Sequence, residues 1–420
     1  MNEIAKRALD QDDDVLLLTR ETPHSAISGL PRMVRSALRF LTALKFGALT
    51  ITFPDGQSVR IEGKEDGPDG AVVIKDYKAV SAMLKRGDIG FAEAYMDGLW
   101  DSPDIVEFLQ VFYINKDMLL DIVKSMPLFN IMSNLRHWLR GNSKRQAKKN
   151  IHAHYDLGND FYSLWLDPSM TYSSAIFRDG INGLEAAQRE KYASLARKID
   201  LKPEHHVLEI GCGWGGFAEY AASEIGCRVT GLTISEAQRL YAIERMQKAG
   251  LSDKVEIVHR DYRDETGQYD RIASIEMIEA VGESYWPTYF AQLHDRLKPG
   301  GRAGVQAITI RDGDFDTYRM RPDFVQTYIF PGGMLPSSAI MEQMGRKNGL
   351  EVTENEAFGH SYARTLNEWC VRFEEVWPQI TTQGFDERFR KLWRYYLKYC
   401  EAGFLAGNVN VRQVAFQRPL

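Results

Sequence analysis

Hydrophobic and polar positions change rhythm along the chain. Residues 1–30 have no sustained period, which predicts a poorly ordered lead-in. Over 31–46, Met33, Val34, Ala37, Leu38, Leu41 and Leu44 recur at helical spacing, while Arg32, Arg35 and Arg39 fall on another face. Such a basic amphipathic helix either lies on a membrane surface or packs on a sheet with its basic side in water. Alternation of period two follows. ALTITF at 48–53, a turn at Pro54-Asp55-Gly56, and runs at 58–61 and 71–74 read as a hairpin and a third strand. Helical patterns at 77–85 and 105–113 close a small α+β domain over 31–130. From 131 to 153 the basic residues Arg136, Arg140, Lys144, Arg145, Lys148 and Lys149 stand without an acid among them. That stretch is a linker or a patch for an anionic lipid headgroup. With Trp138 its one interleaved tryptophan, it does not suit single-stranded nucleic acid.

Beyond Leu201 the rhythm becomes strand and helix in turn. Short apolar runs near Val207, Val229, Val255, Ile272 and Ala303 alternate with helical patterns at 235–248 and 285–297, the second stopped by KPGG at 298–301. This predicts a doubly wound α/β domain over 154–420, with a parallel sheet and a ligand crevice at the carboxyl ends of its strands. The segment 154–177, HYDLGNDFYSLWLDPSMTYSSAIF, reads as a helical lid, and 310–365, where alternation fails, as a cap over the crevice.

Composition narrows the class. The 420 residues are 44% hydrophobic and 26% charged with a net charge of −5, the balance of a globular protein without general attraction for nucleic acid or anionic lipid. No apolar run reaches the roughly 18 residues a bilayer span needs, and an acidic block, Asp12 to Asp14, stands where a signal peptide would carry its apolar core. The expected location is the cytoplasm. Cys212, Cys227, Cys370 and Cys400 lack metal-ligand spacing, which suits a reducing compartment and predicts no metal.

The chemistry is centred on VLEIGCGWGGFA at 207–218. A buried-strand run ends in Gly211, Gly213, Gly215 and Gly216 before a helix, so the backbone turns sharply and approaches a nucleotide-like ligand. Glu209 precedes the glycines, whereas a dinucleotide fingerprint carries its acid at the end of the second strand; here that strand ends in Thr233, with Ser235 and Gln238 beyond. No GxxxxGK[ST] string occurs. E-I-G-C-G-W-G-G followed by GLTISEAQ resembles S-adenosylmethionine-dependent methyltransferases, and among them the cyclopropane-fatty-acyl-phospholipid synthase family. GDIGFAEAYMDGLWDSPD at 87–104 resembles the N-terminal domain of bacterial members, whose use would be lipid handling or homodimer formation.

The resemblance implies a Rossmann-like methyltransferase domain and an assignment of residues. Tyr172 and Ser173 would contact the methionine carboxylate, Val207, Glu209, Gly211, Cys212, Gly213 and Gly215 the cofactor body, Thr233, Ser235 and Gln238 its ribose, and Tyr262 with Arg263 its adenine. A bicarbonate ion would be held by Glu279, in SIEMIEAVG, with Ser174, Gln306, Ile308 and Tyr362. Ser174 and Gln306 depart from the family's cysteine and histidine, which puts that anion's geometry in question; Glu276 stands where several relatives carry glycine. Cys400 matches a catalytic candidate of the family or is inert packing. YIFPGGMLPS at 328–337 is a surface turn or a substrate loop in which Phe330, Met334 and Leu335 line an acyl channel.

The expected reaction is methyl transfer to a cis double bond of a phospholipid acyl chain, with peripheral contact at the inner membrane surface. Proton loss from the new methyl gives a cyclopropane; loss elsewhere or hydride delivery gives a methylene or methyl-branched acid. Two further readings are a small-molecule amine N-methyltransferase, which usually lacks the N-terminal domain, and a non-catalytic carrier.

Overall fold

The computed structural model describes residues 15–118 and 157–420. The expected linker at 131–153, the end of the N-terminal domain beyond residue 118 and the first residues of the lid lie outside them. Two compact units emerge, one made of 15–118 with Gly384–Asn408, the other of 157–383 with Val409–Leu420.

In the first unit a five-stranded sheet has the order β1-β3-β2-β4-β5. The hairpin is present as β2 (Phe46–Thr52) and β3 (Ser58–Glu62), antiparallel with Thr52 opposite Ser58. β4 (Glu65–Ile74) starts inside the Gly/Pro-rich stretch and runs parallel to β2, and the short β5 (Trp100–Asp101) closes that edge. The lead-in departs from expectation. β1 (Val15–Leu17) pairs in parallel with β3, and Leu18, Ile27 and Leu30 are buried, so 15–30 is held by its apolar residues. α1 (Arg32–Leu41) buries Val34 and Leu38, and Arg39 donates to the Thr22 carbonyl at 2.7 Å. α2 (Lys78–Met96) and α3 (Ile105–Ile114) follow, α2 broken at Gly87, whose φ is 62°. The C-terminal helix Glu387–Leu405 also belongs here. Its Tyr395 lies 5.5 Å, ring to ring, from Tyr95. The methyltransferase domain therefore does not run unbroken to residue 420, because aromatic packing draws 384–408 into the first unit.

The second unit holds a seven-stranded sheet ordered β11-β12-β10-β9-β6-β7-β8. Its five anticipated strands, β6 (His206–Ile210), β7 (Arg228–Thr233), β8 (Val255–His259), β9 (Tyr269–Ile275) and β10 (Leu297–Ile310), are all parallel. Two antiparallel strands extend it. β12 (Val409–Gln417) pairs with β10, and β11 (Glu351–Ala357), expected within the cap, is the outer edge strand. Strand order reverses between β6 and β9, which places the ligand crevice at their carboxyl ends.

Helices cover both faces. α5 (Leu184–Lys198), α6 (Gly216–Tyr220) and α7 (Glu236–Lys248) contribute Tyr192, Leu195, Phe217, Ala242 and Met246 to one core. α8 (Trp286–Arg296) contributes Trp286, Phe290 and Leu293 to the other, with Phe315, Met334 and Met341. Between the first helix of the unit, α4 (Gly158–Trp165), and α5, the chain passes irregularly through buried Ser173 and Ser174. Among the described residues no helix is long and apolar enough to cross a membrane.

Candidate active site

β6 ends at Ile210, and Gly211, Gly213 and Gly215 take φ of 82°, 52° and 84°. Only glycine adopts such angles without penalty. Gly211 and Cys212 donate their amides to the Leu232 carbonyl of β7 at 3.0 and 2.8 Å, which pins the turn to the sheet. A Cβ on Gly216 would collide with the Tyr192 hydroxyl, whereas one on Gly213 would meet nothing within 4 Å. The turn is crowded on the protein side and open on the other. Trp214 reaches back to α4, its indole N–H donating to Asn159 Oδ1 at 2.8 Å.

Glu209 is buried, and its Oε2 has no hydrogen-bond partner. Burial raises this acid to about 8, against the opposing pull of Lys191 and Arg245. An unpartnered buried oxygen is costly unless a ligand donor meets it. Together with the open side of the glycine turn, it fits the ammonium end of an aminoacyl cofactor such as S-adenosylmethionine.

Other anticipated cofactor residues have different standing. Val207 is wholly buried in the core at the opposite end of β6, about 13 Å along the strand from Gly211 at ~3.3 Å per residue; it is a packing residue. Thr233, Ser235 and Gln238 bond to one another, Thr233 Oγ1 to Gln238 Oε1 at 3.2 Å and Gln238 N to the capping Ser235 Oγ at 3.3 Å. Arg263 is forked onto Asp261 at 2.8 and 2.6 Å and lies 5.0 Å over the Tyr285 ring, while the Tyr262 hydroxyl is buried without a partner. Cys212 is buried, and desolvation pushes its thiol well above the ordinary range.

Ser173 and Tyr172 sit in a dense enclosure. Ser173 Oγ accepts from Lys191 Nζ at 2.7 Å and its carbonyl from Gln188 Nε2 at 2.9 Å. Lys191 is fully buried on α5, and desolvation lowers it to about 7 against the attraction of Glu276, Asp167 and Glu209. The Tyr172 ring lies 5.2 Å from Tyr162, 5.7 Å from Trp165 and 5.2 Å from Trp369. Trp369 and Tyr362 share the helix Gly359–Glu375, their rings 6.2 Å apart. Ser361 and Thr365 of that helix accept the amides of Phe177 and Ala175, both at 3.1 Å.

The second focus is at the ends of β9 and β10. Glu276 has φ of 49°, an uncommon left-handed conformation for a non-glycine that costs on the order of 1–3 kcal/mol. Its Oε1 accepts the Ser174 amide and Gln306 Nε2, each at 2.8 Å; its Oε2 accepts the Tyr362 hydroxyl, also at 2.8 Å. Burial raises its pKa, and these donors oppose the rise. Gln306 is oriented by Gln413, its register partner on β12, whose Nε2 donates to Gln306 Oε1 at 3.1 Å. Glu279 differs. Its Oε1 accepts the Ile308 amide at 2.6 Å, its buried Oε2 has no partner, and burial beside Glu276 lifts it to about 8. The loop at 328–337 is tied to this acid, since the Met334 amide donates to the Glu279 carbonyl at 2.8 Å. Met334 itself lies in the core, Leu335 packs against it, and Phe330 is half-buried.

Five residues anticipated for one anion thus converge, with Glu276 among them. Ser174 contributes its amide rather than its hydroxyl, which donates to the Ala175 carbonyl at 2.9 Å. Cys400 lies on the helix Glu387–Leu405, which is grouped with the first unit. Lys191, Gln188 and Gln413 went unread, though Gln188 and Lys191 follow Leu184 at i+4 and i+7, on the stripe that faces the sheet.

A model described as mycolic acid cyclopropane synthetase matches residues 142–414. The chain belongs to this family. It is an S-adenosylmethionine-dependent methyltransferase of the cyclopropane synthase type, which sets the carrier reading aside. The chain is 36% identical to tuberculostearic acid methyltransferase UfaA1 of Mycobacterium tuberculosis, over 96% of this chain and 95% of that one. It is 37% identical to the cyclopropane-fatty-acyl-phospholipid synthase of Escherichia coli, over 82% of this chain and 87% of that one. Among solved structures, mycolic acid cyclopropane synthase CmaA1 complexed with SAH and CTAB superposes with a TM-score of 0.61 at 29% identity, covering 64% of this chain and 98% of that one.

Proposed function

We propose that this methyltransferase acts on the cis double bond of an unsaturated acyl chain carried by a membrane phospholipid and forms a cyclopropane fatty acid, meeting its substrate as a peripheral protein at the inner membrane surface. The observation that carries this reading is the pairing of a dense aromatic wall with buried carboxylates at the crevice end of the sheet. S-adenosylmethionine, when bound, supplies an electrophilic methyl group. Glu209 would accept the cofactor's ammonium through its unpartnered Oε2, and Lys191 would hold Ser173 toward the carboxylate end. An alkene that gains a methyl becomes a carbocation, and the π faces of Tyr172, Tyr362 and Trp369 suit it, each such contact being worth about 0.5–2 kcal/mol when water is excluded. The loop at 328–337, anchored to Glu279, would bring the acyl chain in beside these rings. Methyl transfer to an amine would leave the aromatic wall and the acids without comparable work.

A second reading keeps the same substrate and gives a methylene or methyl-branched acid. It is favoured by the 36% identity with a relative named for tuberculostearic acid, which extends over 96% of this chain. One assay tests both. Purified protein is incubated with methyl-labelled S-adenosylmethionine and vesicles of a monounsaturated phospholipid, and the released fatty acids are analysed by mass and proton NMR. Gain of one CH2 with loss of the alkene signals is expected. Gain of CH2 with a terminal methylene signal selects the second reading, and turnover confined to amines overturns both.

A further inference from the structure

The donors that the family resemblance assigns to a bicarbonate ion are already taken by the protein. The Ser174 amide, the Gln306 side-chain amide and the Tyr362 hydroxyl all end on Glu276, each at 2.8 Å, and the Ile308 amide ends on Glu279 at 2.6 Å. A bound anion does not fit this arrangement without displacing a glutamate. The residues behind Glu276 are built for it. Ser174, Gln306 and Gln413 are completely buried, and Gln413 fixes Gln306 so that its N–H points at the carboxylate. Glu276 is half-buried as a residue, and its carboxylate is the acceptor on which the Ser174, Gln306 and Tyr362 donors all end. Its backbone is held at φ of 49°, a conformation suited to glycine, and its own amide donates to the Gln306 carbonyl at 2.8 Å. A strained glutamate with both oxygens engaged, just past the carboxyl end of a sheet strand where this fold places its ligand crevice, is a placed functional group.

We propose that Glu276 is the catalytic base of this enzyme, a carboxylate built into the chain in the place where a bound bicarbonate would otherwise sit. The proposal rests on the lipid reading above for its substrate, but not for the state of the cradle. In the step, the transferred carbon is already bonded to one alkene carbon and the neighbouring carbon is cationic. One C–H bond of the new methyl breaks, its electron pair closes the three-membered ring on the cationic carbon, and the proton passes to the Glu276 carboxylate. Charge and atoms balance without a further reactant. Tyr362 and Gln306 are positioning residues, since each acts through Glu276.

The test compares wild type with Glu276→Gly and Glu276→Gln in buffer stripped of carbon dioxide. Glycine suits the left-handed backbone, so Glu276→Gly keeps its fold, checked by circular dichroism and Tm, and vacates the cradle. The first readout is binding of carbon-13-labelled bicarbonate by NMR, which needs no lipid. Wild type should bind none, and Glu276→Gly should bind it; bicarbonate bound by wild type and displaced by Tyr362→Phe overturns the proposal. The second readout is turnover on a monounsaturated phospholipid. Wild type should change less than twofold when bicarbonate is added. Glu276→Gly should fall at least a hundredfold and recover at least tenfold with bicarbonate or formate, while Glu276→Gln, whose amide fills the cradle, should fall equally and not recover. Wild-type turnover that drops tenfold on removing carbon dioxide, or full turnover by Glu276→Gly without an added anion, overturns it. If wild type acts on no phospholipid at all, the lipid reading fails, and the binding readout still decides the cradle.

Discussion

Two acids stand at the carboxyl ends of neighbouring strands and have been treated in opposite ways. Glu209, on β6, is buried with one oxygen unpartnered, whereas Glu276, just past β9, has donors on both oxygens. Both are raised by burial, so desolvation does not distinguish them. Their partners do. A buried acceptor left open is a cost that a bound donor would relieve, which is why Glu209, beside the glycine turn, is proposed above to meet the cofactor. A buried acceptor that is fully met is part of the apparatus and needs no visitor. On the roles proposed above, the difference would separate the place that holds the cofactor from the place that handles a proton, across one pair of adjacent strands.

The largest expected effect breaks the first half of that comparison. Glu209→Gln keeps the shape and removes the charge, and a hydrogen bond to a charged group is worth about 1.5–3 kcal/mol. Affinity for S-adenosylmethionine should fall roughly 10- to 100-fold by calorimetry, with the folded state intact. Unchanged affinity would mean that Glu209 is only a packed acid. The next effect is smaller and falls on the other half. Tyr362→Phe preserves the ring against Trp369 and deletes the bond to Glu276, so kcat should drop about tenfold while cofactor affinity stays as it was. A change in affinity with no change in kcat would reverse the roles given to the two strand ends.

How far this division could be read without coordinates depends on the kind of signal. The strands from Val207 to Ala303 and the glycine turn were legible because buried parallel strands and positive-φ turns write themselves into local pattern. β11 was not, since EVTENEA at a sheet edge is polar on both faces and resembles a loop. The helix Glu387–Leu405 was assigned to the wrong unit because chain continuity says nothing about where Tyr395 finds its aromatic partners. At the site, Gln306 and Ser174 were visible as departures from a family pattern. Their common partner was not, because Ser174, Glu276 and Gln306 meet only through the register of β9 and β10. Lys191 escaped for a different reason: a lysine on an apolar stripe is normally read as the stripe's edge, and here it is fully buried, with three acids opposing its desolvation only in part.

A third measurement sharpens the contrast between Glu276 and its neighbour. Glu279 is raised to about 8 from an ordinary 4.5, so between those values the folded state binds more protons than the unfolded one. Stability from this group is therefore complete below pH 4.5 and lost as pH climbs to 8. Glu209 adds a loss of the same sign over the same window, while Lys191, lowered to about 7, gives a gain only above that pH. Between pH 5 and 7 wild type should lose Tm, and Glu279→Gln should lose less, by about 2–4 °C for each kcal/mol relieved in a domain of this size. An identical slope in the two proteins would show that the unpartnered oxygen of Glu279 is met by solvent and carries no penalty.

The smallest expected effect concerns the cysteine that family resemblance put forward. Cys400 is half-buried on the helix Glu387–Leu405 of the first unit, whose own Trp393 and Tyr396 are buried, whereas the acids belong to strand ends of the second unit. Its sequence neighbour Glu401 is committed to Lys398 at 2.8 Å. A half-buried thiol packed on a helix behaves most often as a small apolar side chain. Cys400→Ala should therefore leave kcat and cofactor affinity within about twofold and lower stability by roughly 1 kcal/mol at most, the usual scale for removing one half-buried sulfur. A tenfold loss of kcat with unchanged Tm would instead mean that the first unit supplies a reacting group, and the assignment of both chemical steps to the ends of β6, β9 and β10 would have to be abandoned.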